Sequence, residues 1–103
     1  MDTEEARAVL TEQLQPYRGM GYKALQRLLA EPDIFEIRGP SEVSYRLQIE
    51  AVWDDRPGGN LRVFGLLEDG EGSGARAPLT EEFIVASTGA IIGKGGQVRR
   101  APP

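Results

Sequence analysis

Ile91-Ile92-Gly93-Lys94-Gly95-Gly96 is the stretch of this chain whose residue types and spacing come nearest to a recognisable chemistry. Glycines without a Cβ let a backbone approach a phosphate closely, and a lysine among them adds a positive charge. In that reading Gly93, Lys94, Gly95 and Gly96 clamp phosphates, while Ile91 and Ile92 form an adjoining apolar wall. Two acidic loops are the next candidates, Asp54-Asp55 and Glu68-Asp69-Gly70-Glu71-Gly72. They supply oxygen ligands, but the second lacks the ligand alternation and closing glutamate of a calcium loop. A third candidate is the cluster Trp53, Asp54, Asp55, Arg56 and Asn60. If it projects at the rim of a sheet, it forms a compact recognition patch, since tryptophan and arginine are the usual anchors of protein interfaces. If Trp53 instead ends an inward-facing row, it belongs to the margin of the core.

The glycine run resembles the aliphatic-Gly-x-x-Gly loop of KH domains, which joins two helices and holds single-stranded nucleic acid. That resemblance implies RNA binding through Gly93, Lys94, Gly95 and Gly96. It covers about a tenth of the chain, and its surroundings depart from the pattern. Arg99 stands where an aliphatic residue is expected, and Val98 comes one position too early. Ser87-Thr88-Gly89 interrupts the helix that has to enter the loop and suits a turn between two strands. The favoured reading makes residues 1 to 93 one domain and residues 94 to 103 a flexible basic Gly/Pro tail, with single-stranded RNA binding as the alternative.

The chain has 103 residues, enough for one two-layer core, and its 40% hydrophobic and 27% charged content is that of a globular domain. Cysteine and histidine are both absent, which removes disulfides, thiolate zinc sites, cysteine nucleophiles and histidine acid–base chemistry together. Remaining catalysis has to rest on carboxylates, Lys23, Lys94, Tyr17, Tyr22, Tyr45 or the few hydroxyls. No enzymatic activity and no cofactor are expected on that inventory. The net charge is −4, and Lys94, Arg99 and Arg100 all follow Ile92. The preceding body is therefore more acidic than the whole and repels nucleic acid. No apolar stretch has the length of a membrane span, and the acidic Met1-Asp2-Thr3-Glu4-Glu5 is not a secretory signal, so a cytoplasmic location is expected.

The elements that position these residues follow from hydrophobic period. Ala6, Val9, Leu10, Leu14 and Tyr17 recur at helical spacing, with Asp2 and Glu5 in capping-box positions and Pro16 ending or kinking the helix near Gln15. A second helix carries the stripe Tyr22, Leu25, Leu28 and Leu29 and stops at Glu31-Pro32-Asp33. The period then changes to two. Ile34–Arg38 forms a strand, and Val43, Tyr45, Leu47, Ile49, Ala51 and Trp53 alternate with polar residues in the next. Asp54 to Asn60 forms a hairpin loop into a strand from Leu61 to Leu67. A strand near Ala75 to Leu79 and a final pair, Phe83–Ala86 and Ala90–Ile92, complete the pattern. The fold class is α+β, with two N-terminal helices packed on one face of an antiparallel meander of about four to six strands. Val52, Phe64 and Leu66 fall on the nominally polar sheet face, which points to partial cover by another surface, a second copy included.

Gly39-Pro40-Ser41, Val52-Trp53-Asp54-Asp55, Gly58-Gly59-Asn60-Leu61-Arg62-Val63, Glu68-Asp69-Gly70 and Pro78-Leu79-Thr80-Glu81-Glu82-Phe83-Ile84 resemble the pattern of a family of small, uncharacterised bacterial proteins. The resemblance spans about Tyr17 to Gly93 and implies a small bacterial α+β domain without an assigned activity. The function expected from all of this is a non-enzymatic protein-interaction module with an unidentified protein partner, no membrane contact and no nucleic acid.

Overall fold

The computed structural model describes residues 3–69 and 78–93. One long helix, α1 (Thr3–Arg18), is followed by a single helical turn, α2 (Tyr22–Leu25), which continues directly into a 3₁₀ turn, Gln26–Leu29. Five strands come next: β1 (Asp33–Arg38), β2 (Ser44–Trp53), β3 (Leu61–Asp69), β4 (Leu79–Val85) and β5 (Ile91–Gly93). They form one antiparallel sheet in the order β1-β2-β3-β4-β5. The protein is thus α+β with an antiparallel meander.

Helix α1 forms where the period predicts it, and Ala6, Val9, Leu10, Leu14 and Tyr17 are its buried residues. Glu4 and Glu5 in its first turn and Arg18 in its last complement the helix dipole. One expectation about α1 needs correction. Pro16 lies inside the helix, which runs on to Arg18. A proline this close to the C-terminus forgoes one backbone bond on an exposed side, and the turn beyond it closes with Gly19 N–H donating to Pro16 O at 3.1 Å. Glu5 reaches from the helix to the β1–β2 turn and β2. Its carboxylate accepts from Ser41 N–H, Ser41 Oγ and Tyr45 Oη, each at 2.7 Å, while Asp2 lies outside the described residues.

The second helix is shorter than its apolar stripe predicts. Gly21 adopts φ +93° before it, a conformation glycine reaches without a Cβ penalty, and four residues later the chain tightens to 3₁₀ geometry. Leu25 and Leu28 are nonetheless buried, and Tyr22 and Leu29 pack against the core. Strand β4 is the largest departure. Thr80-Glu81-Glu82 does not separate two strands; Leu79–Val85 is one strand paired along β3 from Leu67↔Leu79 to Leu61↔Val85. Its carboxylates are accommodated by partners. Glu81 accepts from Thr11 Oγ1 at 2.6 Å and pairs with Arg18 at 3.4 Å, and Glu82 pairs with Arg62 at 2.9 Å. The expected strand near Ala75 falls mostly outside the described residues, and Pro78 precedes β4.

Register assigns the sheet's two faces. Tyr45, Leu47, Ile49 and Ala51 of β2 stand opposite Asp69, Leu67, Gly65 and Val63 of β3, and Phe83 and Val85 continue the rows on β4. Tyr45, Leu47, Ile49, Ala51, Leu61, Val63, Leu67, Phe83 and Val85 share one buried cluster with the helical residues. At its centre Gly65 has no side chain, and a Cβ built there would lie 2.9 Å from Leu10 Cδ1 and 3.6 Å from both Leu14 methyls. Gly65→Val should therefore destabilise the protein by about 1–3 kcal/mol through overpacking, read as a lower urea midpoint. An unchanged midpoint would show that α1 does not depend on this close approach.

Candidate functional site

The residues of the Trp53 cluster are together in space, because they occupy one loop, but most of their polar groups serve the loop itself. Trp53 is half-buried, packs against the core and stands 6.4 Å from the Tyr22 ring at 47°. Tyr22 Oη donates to Gly59 O at 2.7 Å, holding the loop to the short helical segment. Asp54 N–H donates to Asn60 O at 2.7 Å, closing the hairpin, and its carboxylate pairs with Arg62. Asp55 Oδ1 accepts from Arg56 N–H at 2.7 Å and from Asn60 N–H at 3.3 Å. Gly59 has to be small, since a Cβ there would meet Asp55 Oδ1 at 2.7 Å. Sequence adjacency located this cluster, but it gave no sign of where the polar groups point.

Ile91, Ile92 and Gly93 form β5, antiparallel to β4. The turn before it, Ser87-Thr88-Gly89, closes with Gly89 N–H donating to Ala86 O and Ala86 N–H to Ala90 O, both at 2.8 Å, and Gly89 adopts φ +97°. A strand and a tight turn therefore occupy the position of the helix that a KH loop requires on its entry side. Lys94, Gly95 and Gly96 lie outside the described residues.

Asp54 and Asp55 lie at the Trp53↔Leu61 end of the β2–β3 hairpin, and Glu68 and Asp69 lie at the Tyr45↔Asp69 end. Among the described residues no group of three or more acidic side chains is placed to hold a metal ion. A surface concavity between Met20–Gln26 and Ser87–Gly89 contains one amine, Lys23, and the hydroxyls of Tyr22, Ser87 and Thr88. Tyr22 already donates to Gly59, so the concavity has no nucleophile paired with a base.

The groups with displaced pKa values are tethers between elements. Asp33, at the start of β1, receives a bidentate contact from Arg27 at 2.9 and 3.0 Å and the Tyr17 hydroxyl at 2.7 Å. The Arg27 hydrogen bonds, with help from Tyr17, hold the Asp33 carboxyl below the usual range against some desolvation. Burial, reinforced by Asp33, pushes the Tyr17 phenol up to about 12. Glu5 is lowered first by the Tyr45 hydroxyl and then by Ser41. None of these three tethers carries a signal in sequence spacing.

The surface without such internal use is the sheet face away from the buried cluster. Alternation places Ile34, Val52, Phe64, Leu66 and Ile84 there. Ile34 is 51% exposed and Val52 43%, Phe64 and Leu66 are half-buried, and Ile84 is buried. Phe64 lies between Glu50 and Glu82 across the strands, and Val52 is diagonal to it. Arg62 on this face is held by Asp54 and Glu82. No helix among the described residues is long and apolar enough to cross a membrane.

Comparison with known proteins gives no family model, no curated relative and no solved structure that matches this chain.

The displaced groups fix how stability depends on pH. Asp33 and Glu5 have folded pKa values below their unfolded ones, so their contribution is complete above about pH 5 and is lost as pH falls through the folded values. Tyr17 has the opposite sign: its contribution is complete below about pH 9 and is lost as pH rises from about 10 towards 12. Urea midpoints measured across that range should form a plateau with a decline at each end. Tyr17→Phe should flatten the alkaline decline and Glu5→Gln the acid one. Slopes identical to the wild type in both variants would refute the assignment.

Proposed function

We propose that this protein is a non-enzymatic protein-interaction module of the bacterial cytoplasm, and that it engages its partner through the outer face of the sheet. In this reading α1 and the α2–3₁₀ segment form one layer over the inner face, which leaves the opposite face to the partner. The observation that carries the reading is the apolar group Val52, Phe64 and Leu66 on the face opposite the core, with Ile34 on the same face at the sheet edge. Isolated exposed apolar residues are ordinary, but neighbouring ones on three cross-strand rows make a patch that a binding surface covers. Glu50 borders Phe64 on one side, while Glu82 on the other is already paired with Arg62, so the fitting partner is a protein that brings apolar side chains edged by lysine or arginine on the Glu50 side.

Two further features support a binding role. The hydroxyls of Thr11, Tyr17, Tyr22 and Tyr45 and the carboxylates of Glu5, Asp33 and Glu81 serve as structural tethers. The alternative, single-stranded RNA binding through Gly93 to Gly96, has a strand where its entry helix belongs. The test is affinity capture from the native lysate with the wild-type protein and with Phe64→Lys/Leu66→Lys, after matched melting curves confirm that both are folded. A discrete protein captured by the wild type should be lost with the variant and weakened by high salt. Equal capture by both, or capture of nothing by either, would remove the reading.

A further inference from the structure

β1 is an edge strand: β2 runs along one side of it, and among the described residues no strand pairs with the other side. Backbone hydrogen bonds alternate in direction along an antiparallel strand, so one bonded pair fixes the direction of all the others. That pair is Gly39 N–H donating to Val43 O at 2.9 Å, one step beyond the Arg38↔Ser44 position of the β1–β2 register. Counting back from it, Ile37, Phe35 and Asp33 direct their backbone groups towards β2. Ile34, Glu36 and Arg38 direct theirs outward, and their side chains lie on the outer face. Pro32 and Pro40 bracket the strand and limit any pairing to the stretch between them. Within it there is no proline, glycine or bulge to discourage a second strand.

We propose that β1 pairs antiparallel with β1 of a second copy of this chain about a two-fold axis at Ile37, so that one sheet runs through both copies. Pairing that keeps each face continuous allows registers that differ in steps of two, and the charges of the strand choose among them. With Ile37 opposite Ile37, each Glu36 faces Arg38 of the second copy, and these oppositely charged neighbours occur twice. Moving one step places Glu36 directly against Glu36, and moving the other way places Arg38 directly against Arg38 and Glu36 against Pro40. Opposite charges across a pair stabilise and like charges destabilise, so the Ile37-centred register is favoured. Arg38 is free to turn, because its 3.2 Å pair with Glu42 joins two exposed side chains and contributes little. The exposed Ile34 then meets the second copy near its Gly39-Pro40 turn.

This interface uses the edge of the sheet and leaves the outer face available, so its failure would not affect the module reading, and loss of that reading would not affect it. The test is sedimentation equilibrium on the full chain. The wild type should dimerise reversibly, Glu36→Arg and Arg38→Glu should each weaken the dimer by roughly tenfold, and the double exchange should restore it. The chain has no cysteine, so a single introduced one reports register without background. Ile37 would form a non-hydrogen-bonded pair with Cα atoms about 4.5 Å apart, within disulfide reach. Ile37→Cys should therefore cross-link under mild oxidation and Phe35→Cys should not. A wild type that stays monomeric at every concentration, single charge variants that dimerise like the wild type, or cross-linking through Phe35→Cys would each overturn the proposal.

Discussion

The missing side chain at Gly65 sets the arrangement of the rest of the molecule. Position 65 lies at the middle of the central strand, opposite Ile49 on β2 and Glu81 on β4. Leu10 and Leu14 of α1 fill the space a side chain would occupy. That approach brings Thr11 onto Glu81 and places Arg18 both beside Glu81 and 4.8 Å from the centre of the Phe83 ring. It also aligns the two ends of the helix with the sheet margins, where Glu5 reaches Ser41 and Tyr45, and Tyr17 reaches Asp33. A helix held further away by one methylene loses dispersion contacts at the centre, where close packing matters most, and lengthens the polar contacts at both ends.

What the sequence made legible follows from how local each signal is. The alternation from Tyr45 to Trp53 is a period-two pattern within one strand, and it located both β2 and its buried face. The stripe from Ala6 to Tyr17 did the same for α1. Thr80-Glu81-Glu82 misled for the opposite reason. Two adjacent carboxylates beside a threonine have the composition of a turn, and the partner that makes Glu81 tolerable, Thr11, is 70 residues away. Pro16 misled because a rule for helix interiors does not bind a residue in the last turn, and the contacts of Glu5 with Ser41 and Tyr45, like that of Thr11, reach far along the sequence. At the candidate site, the position of Trp53 at the core margin was legible from its place in the alternation. The use of Asp54 on Arg62 and of Asp55 on the loop's own N–H groups was not, because a side chain's direction in a loop depends on backbone geometry that composition does not encode.

The displaced pKa values mark groups that join one element to another. Glu5 and Asp33 are lowered, Tyr17 and Arg27 are raised, and each becomes more firmly fixed in the charge state it holds at neutral pH. Such shifts are what hydrogen-bonded tethers produce: Tyr17, Arg27 and Asp33 join the end of α1, the 3₁₀ turn and the start of β1, and Glu5 joins the other end of α1 to Ser41 and Tyr45. They contribute rigidity to one side of the sheet.

Rigidity on that side has a consequence for the other. A sheet whose inner face is pinned at Gly65 and Glu81 and tethered at Ser41 and Asp33 presents its outer rows in fixed register, so in the proposed reading a partner need not bear the entropy of ordering them. Phe64 and Leu66 alternate along β3 with Gly65, the residue that seats the helix. The contact that organises the core and the apolar side chains that form the outer patch therefore share one strand. A surface built this way offers preformed shape and little adaptability, which, in the proposed reading, suits recognition of a single complementary surface better than capture of many.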